Sequence, residues 1–549
     1  MTGGSHLFSR AETNRSKTGL SPFFIPFFLF TLWMVLSLVP SCRSNPVDNG
    51  SMASTQTETA LPLEAAGRPE TPPEKFIMDH GPPAPALFIV SGIKGYTEPC
   101  GCTAGLHVGG LDKLVGTIAQ AQLDFQGESI VIDAGNMLFE HEELPHHLID
   151  QERLKAPLIV QAHNRLGTIA TTPGPYDLAL GLPFYLEALE ESPIHLLSSN
   201  LFDRSENPVG VPYMIHSVEN FSLGVIGAAD PDLFLNSRDV IATDPVGAVR
   251  QAVAELERQE TDTILLLMQG DQQATDHLVS QVEGLDFAIV GYAPQESKGA
   301  SLSHDTALME VFDQGRYVGI IKLYSEGDGP YLNASPEPSE EVFQIERRIA
   351  YLQGQISLLP PYLQGQEPPI VQSMMEEMET LNNRLPMILW EGLELTPGSR
   401  QFLAWTVPLE PGYPVDATTS LEISTYNAAL RSLHQDRSTP LPLEEEDISY
   451  VGINVCRSCH YAAYEHWLTT PHSFAIDTLV DRDKAFDEVC VSCHVTGYRQ
   501  PGGSVVGHYE DLANIQCEAC HGPGGRHITA PPAHITRTPL SDTCEGCHN

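Results

Sequence analysis

Cys456-Arg-Ser-Cys459-His460, Cys490-Val-Ser-Cys493-His494, Cys517-Glu-Ala-Cys520-His521 and Cys544-Glu-Gly-Cys547-His548 decide how residues 450–549 fold. The same five-residue spacing occurs four times. Two thiols three positions apart add to the two vinyl groups of one haem, and the next residue, His, reaches the iron from the same side. Zinc also takes paired CxxC units, but it does not need a His directly after each second Cys. The reading is therefore four haem c groups with iron. Cofactor attachment falls on the eight motif cysteines, and iron ligation on His460, His494, His521 and His548. So little peptide per haem cannot build an ordinary apolar core. The porphyrins are expected to serve as the core, with short helices and loops around them, and folding should depend on the cofactor.

A second axial ligand for each iron must come from the non-motif histidines of this stretch, His466, His472, His508, His527 and His534. A bis-His iron is low-spin and exchanges electrons without a change of ligand.

The surroundings of the motifs add a resemblance. Tyr450-Val-Gly452, Tyr464-Glu-His-Trp467, Pro471-His-Ser-Phe-Ala475, Val495-Thr-Gly-Tyr498, Pro501-Gly-Gly503 and Gly522-Pro-Gly-Gly-Arg-His527 resemble the cytochrome c-554 family, the tetrahaem electron carriers of nitrification. The resemblance implies stacked haem pairs and mixed axial ligation. It implies His527 as ligand to the haem bound through His460, and His472 to the haem bound through His521. It leaves the haem of Cys490, Cys493 and His494 with an open face, the candidate catalytic position for a small ligand such as nitric oxide. His508, a short way after His494, is the residue that would close it. In the family the fourth haem's distal His lies well beyond the last motif. This sequence ends at Asn549, so His534 or His508 is the expected substitute, or that face is open.

Lys plus Arg number 30 and Asp plus Glu 71, a net charge of −41. A chain this acidic repels phosphate backbones, which argues against nucleic-acid binding. With 549 residues it exceeds one core, and a multidomain chain is expected.

The N-terminus reads as an export signal. Arg10, Arg15 and Lys17 precede an uncharged apolar run, Pro22 to Pro40, followed by Ser41-Cys42. A Cys directly after the small residue resembles a bacterial lipobox and implies lipid on Cys42. An uncleaved membrane anchor and plain secretion are the alternatives, since about 20 apolar residues span a bilayer. Under all three the rest of the chain is exported. Residues 42–84 are rich in Ser, Thr, Pro, Gly and Glu and read as a flexible tether.

From 85 to 330, short apolar runs alternate with longer helical stretches. The runs are Leu87–Val90, Ser129–Asp133, His195–Asn200, Leu223–Gly227, Thr263–Leu267 and Asp286–Val290. Such runs, bounded by Gly or polar residues, read as buried strands of an α/β layer fold. Ile132-Asp-Ala-Gly-Asn136, Gly174-Pro-Tyr-Asp-Leu-Ala-Leu-Gly181, Ser199-Asn-Leu201, Gly224-Val-Ile-Gly227 and Gly109-Gly-Leu111 resemble the 5′-nucleotidase branch of the calcineurin-like metallophosphoesterases. The metal ligands of that family are mostly lost. Its Asp-x-His is Ser91-Gly-Ile-Lys94, its Gly-Asp is Gly135-Asn136, and its Gly-Asn-His-Glu lacks Asn and His. Its late Gly-His positions carry Gln269-Gly270 and Gly291-Tyr292. Tyr and Lys are poor replacements for His at a transition metal.

Cys100-Gly-Cys102 falls on the loop after the first strand, where α/β sheets place ligands. Two thiols this close are a candidate redox or soft-metal pair, with His107 nearby; a disulfide or an inert pair is the alternative. Residues 331–449 read as a helical hairpin (340–359 and 371–390), a strand at Phe402–Val407, a helix at Ile423–His434 and an acidic linker.

The expected organisation is thus a signal peptide of lipoprotein type at 1–41, the tether at 42–84, the metallophosphoesterase-like domain at 85–330, the hairpin and connector at 331–449, and a haem-packed, mainly α and irregular tetrahaem domain at 450–549. The expected function is electron transfer on the periplasmic side of the membrane, with redox proteins as partners and the membrane reached through the N-terminus. A haem-based small-molecule oxidoreductase and an active phosphoesterase with a cytochrome appendage are the alternatives.

Overall fold

The structure is a computed structural model. It describes residues 76–547 except 100–107, 219, 293–298, 312–313, 337–339, 358–368, 392, 436–438, 444–448, 532–535 and 537. The chain divides into two units, Met1–Gly67 and Arg68–Asn549, and every described residue belongs to the second. Among the described residues no helix is long and apolar enough to cross a membrane. Cys42 and the apolar run before it lie outside the described residues.

Continuous apolar runs become strands buried on both faces, because the period of two sends alternate side chains to opposite sides. Ala86–Val90 is buried throughout. Phe88 and Val90 join a core with Leu114, Ile118, Ile159 and Leu430, side chains of the covering helices. Leu87 and Ile89 face Leu223, Val225, Leu265 and Phe287 of a second sheet. On the far side of that sheet, Ile226, Leu266 and Ala288 meet Val249, Val253 and Leu256 of helix Pro245–Arg258. The layers therefore run helix, sheet, sheet, helix, and each fully buried Leu or Ile contributes about 1.5–3 kcal/mol.

The first sheet has five strands, ordered Asp328–Asn333, Ser399–Pro408, Tyr317–Tyr324, Ala86–Val90, Ser129–Asp133. Ala86–Val90 pairs in parallel with Ser129–Asp133 and antiparallel with Tyr317–Tyr324. The second sheet has six, ordered Gly299–Ser303, Thr306–Glu310, Phe287–Val290, Thr263–Gln269, Phe221–Ala229, Tyr213–Val218.

Three expectations need adjustment. Of His195–Asn200 only His195–Leu196 is strand. The strand Ser399–Pro408, read as connector, lies inside the first sheet between Tyr317–Tyr324 and Asp328–Asn333. The helix Ala417–Gln435 packs on helices Leu111–Asp124 and Ile149–Leu166. The last residues of the tether also pack down. Ile77 and His80 are buried, because the buried Lys322 ammonium takes the Asp79 carboxylate as its partner and a buried charge needs one.

The hairpin forms as helices Glu340–Ser357 and Pro369–Leu389. Arg348–Glu377 (2.7 Å) and Arg384–Glu341 (2.6 Å) join them, exposed pairs that contribute at most about 1 kcal/mol each.

Residues 449–547 form short helices and turns. Helices Ile453–Arg457 and Tyr461–Trp467 and the turn Pro471–Phe474 bury none of their residues. Around the second motif a small apolar cluster does form, from Ile476, Leu479, Ala485, Val491, Val495 and Val506. The expectation of a core made by porphyrin alone is corrected there.

Candidate functional site

Each motif begins on a short helix or turn: Cys456 in Ile453–Arg457, Cys490 in Glu488–Val491, Cys517 in Cys517–His521 and Cys544 in Ser541–Glu545. One turn of backbone hydrogen bonding folds the motif back on itself. Cys459 N donates to Cys456 O (3.2 Å), His460 N to Cys456 O (2.9 Å), Cys493 N to Cys490 O (3.3 Å) and Cys547 N to Cys544 O (3.0 Å). In the first motif this places Cys456, Cys459 and His460 on one face of the turn. All eight thiols are free of disulfides.

The residues fit a covalently held haem on two observations. His494 Nδ1 lies 2.5 Å from Ala475 O, and His521 Nδ1 lies 2.6 Å from Thr536 O. A carbonyl on Nδ1 makes it the protonated nitrogen and leaves Nε2 as the metal donor. Burial also pushes the His494 pKa below its ordinary value, favouring the neutral form that ligates. The second observation is apolar surface: Val455, Tyr461, Leu468 and Phe474, all beside the first motif, are exposed. A porphyrin is the kind of group such surface would cover.

The motifs lie in a spatial order that differs from the chain order. The first and third motifs are neighbours: Ile453 N donates to Gln516 Oε1 and Gly452 N to Glu518 Oε2, both at 2.7 Å. The segment leading to the fourth motif is tied to the third, Thr536 N donating to His521 O at 3.0 Å. Cys493 Sγ donates to Gly546 O at 3.7 Å. The sequence of neighbours is therefore first, third, fourth, second.

His460 and His527 face one another with ring centroids 6.1 Å apart and planes 21° apart. His472 is exposed, and its carbonyl accepts from Ile515 N at 3.1 Å, beside the third motif. His466 and His508 are also exposed. His534 and His548 lie outside the described residues, as do Cys100, Cys102 and His107.

The middle domain's cleft holds no comparable donor set. Asn136 Nδ2 donates to Gln269 Oε1 at 2.8 Å, and Gln269 Nε2 in turn donates to Ala134 O. A Cβ at Gly174 would collide with Asn136 Oδ1, so the amides fill the space. The Lys94 ammonium sits 4.5 Å from the Tyr176 ring centre and 5.9 Å from that of Tyr292. Burial pushes the carboxyls of Asp133 and Asp177 up to about 7, and Asp177 caps backbone N–H groups of Asn136, Met137 and Leu138. Among the described residues no group of three or more His, Cys, Asp or Glu side chains is arranged to hold a metal ion. These residues do not fit the two-metal centre of a phosphoesterase.

One contact was invisible in the sequence. Gln151, in helix Ile149–Leu166, donates from Nε2 to Asp487 Oδ1 (2.8 Å) and accepts at Oε1 from Glu488 N (2.9 Å). A glutamine on a helix carries no signal of a partner more than three hundred positions away.

Comparison with known proteins finds likenesses to both halves of the chain. The family described as Cytochrome c554 and c-prime matches residues 455–522. Cytochrome c-554 of Nitrosomonas europaea is 33% identical over 94 residues, 14% of this chain and 40% of that protein. The chain thus spans two fifths of that relative's length. Among solved structures, the NAD nucleotidase of Haemophilus influenzae aligns over 67% of this chain and 64% of its own, at 13% identity and TM-score 0.46. A 5′-nucleotidase precursor of Thermus thermophilus aligns over 64% and 59%, at 16% identity and TM-score 0.43. The C-terminal region is similar to cytochrome c-554, a likeness that implies haem c with iron.

Proposed function

We propose that the chain is an exported electron carrier holding four haem c groups. Attachment is through Cys456 and Cys459, Cys490 and Cys493, Cys517 and Cys520, and Cys544 and Cys547, with His460, His494, His521 and His548 as proximal ligands. A haem iron supplies one-electron chemistry, cycling between ferric and ferrous. The chain's own part is to hold, orient and order these groups.

The observation that carries this reading is the His460–His527 pair. An imidazole nitrogen binds a metal at about 2 Å and lies about 1 Å from its own ring centre, so two rings on opposite sides of one iron have centroids about 6 Å apart. The separation found is 6.1 Å. The neighbour order first, third, fourth, second supports a relay along the domain. His472, beside the third motif, is the proposed partner of His521, and His534 that of His548.

The remaining assignments follow the sequence. Lipid on Cys42 anchors the chain on the periplasmic side, and its partners are redox proteins there. The cleft plugged by Asn136, Gln269 and Lys94 supports a middle domain without hydrolytic activity. Haemochrome and metal analysis of the full-length protein tests the reading: four haems and four irons per chain, with no stoichiometric zinc or manganese, are expected. Zinc at the motifs would replace it with a structural metal domain.

A second reading is a small-molecule oxidoreductase at the haem of His494. His494 is held by Ala475 O (2.5 Å) and Thr478 Oγ1 (3.4 Å). The bond to Ala475 O makes Nδ1 the protonated nitrogen and leaves Nε2 for the iron, and the cytochrome c-554 resemblance directs no second imidazole to this haem.

A further inference from the structure

The segment Lys484–Glu488, just ahead of Cys490, is buried against the middle domain. Lys484, Asp487 and Glu488 are 7%, 8% and 5% exposed, and Gln151, Glu152 and Lys155 opposite them 0%, 1% and 6%. Gln151 grips this segment at two points, Asp487 Oδ1 and Glu488 N. Lys484 pairs with Glu98 and lies 3.7 Å from Asp487. Glu488 accepts from Tyr498 OH at 2.6 Å and lies 3.5 Å from His434 and 3.7 Å from His147. Phe486 packs against both the cytochrome cluster and the core of the middle domain.

The charges at this contact come from both domains. Asp487, three residues before Cys490, is bonded to Gln151 at 2.8 Å and lies 3.7 Å from Lys484, and Lys155 follows Gln151 by one helical turn. Lys155 is bonded to Glu152 at 2.8 Å, and both belong to helix Ile149–Leu166 of the middle domain. Buried charges are screened far less than exposed ones, so each acts on whatever is attached at Cys490.

We infer that the 5′-nucleotidase-like domain is the dock for the second haem, with Gln151 positioning the Cys490 segment and the Lys155 and Asp487 charges setting that haem's reduction potential. The inference rests on the four-haem reading above. It gives the middle domain a task that requires no hydrolysis: it caps the second-motif end of the relay and leaves the first-motif end free for partners.

The direction of each effect is fixed by electrostatics. A nearby cation disfavours the more positive ferric state, and a nearby anion favours it. Lys155→Met should therefore lower the potential of one haem, and Asp487→Asn should raise that of the same haem. Asn keeps an oxygen for Gln151, so Asp487→Asn is the variant that preserves the clasp if Lys155→Met fails to fold. The experiment is a spectroelectrochemical titration of the full-length, haem-loaded protein and both variants, with haem counted on each sample. Expected is movement of one and the same transition in opposite directions, the other three staying in place. A shift in only the Asp487→Asn protein, upward and confined to one transition, supports the inference where Lys155→Met yields no protein. Four haems with no shift, or with all transitions moving together, would overturn the inference and leave the haem assignment intact. Unmodified Cys490 and Cys493 in peptide mass mapping would instead overturn the four-haem reading, and the inference with it.

Discussion

His460 and His527 stand 67 positions apart in the chain, yet their rings lie 6.1 Å apart and nearly parallel. That separation is the one that two imidazoles on opposite sides of a single iron would show. Replacing His527 should convert one low-spin haem to high-spin without loss of attachment, which the proposal gives to Cys456 and Cys459. Electron paramagnetic resonance of oxidised His527→Ala checks this. An unchanged low-spin count would assign His527 to the surface.

The second motif gives a different expectation. By the cytochrome c-554 resemblance the second haem keeps an open face, so at least one high-spin haem is expected in the oxidised protein, together with rapid nitric oxide binding after reduction. His494→Ala should remove that signal. Four low-spin haems with no response to nitric oxide would leave electron transfer as the domain's sole activity.

The middle domain's cleft offers an ammonium where a phosphoesterase needs metal ions. Nucleotide and phosphodiester substrates, with manganese or zinc added, should be hydrolysed no faster than background. Hydrolysis that disappears on chelation would contradict this. Lys94→Met should cost about 1 kcal/mol of stability, the scale of a cation–π contact, read as a shift in the urea midpoint.

Asp133 makes a pH prediction. Burial raises its carboxyl to about 7, against the lowering effect of Thr171 Oγ1 (2.5 Å) and Gly135 N (2.9 Å). A raised folded-state pKa means the proton is held more tightly in the folded protein. Its stabilising contribution is complete below about pH 4 and is lost as pH climbs through about 7. Asn in place of Asp133 keeps an acceptor and removes the titration. Urea midpoints of Asp133→Asn should therefore fall less between pH 4 and pH 7 than those of the parent protein. Parallel curves would contradict the buried-carboxyl account.

Cys42→Ala should release the protein from the membrane fraction if Cys42 carries lipid. Retention on membranes would point to the apolar run itself as the anchor.

The haem motifs were legible because their chemistry is local: two thiols and an imidazole must lie within one turn of chain. His527 was legible only through the likeness of Gly522–His527 to a family pattern, since nothing in its own spacing ties it to His460. The strands Ala86–Val90 and Thr263–Gln269 read as unbroken apolar runs because both faces are covered. Tyr317–Tyr324 was missed, its run interrupted by Lys322, whose charge is met by Asp79 from another segment. Gln151 could not be read at all. Its role depends on two partners brought to it by the docking of a separate domain.

A four-haem electron carrier is the central claim, and coulometric titration of the full-length protein, monitored at the haem absorbance, tests it most directly. Four electrons per chain, each accompanied by ferric-to-ferrous conversion, are predicted. Fewer than four, or electron uptake without the haem spectral change, would contradict it.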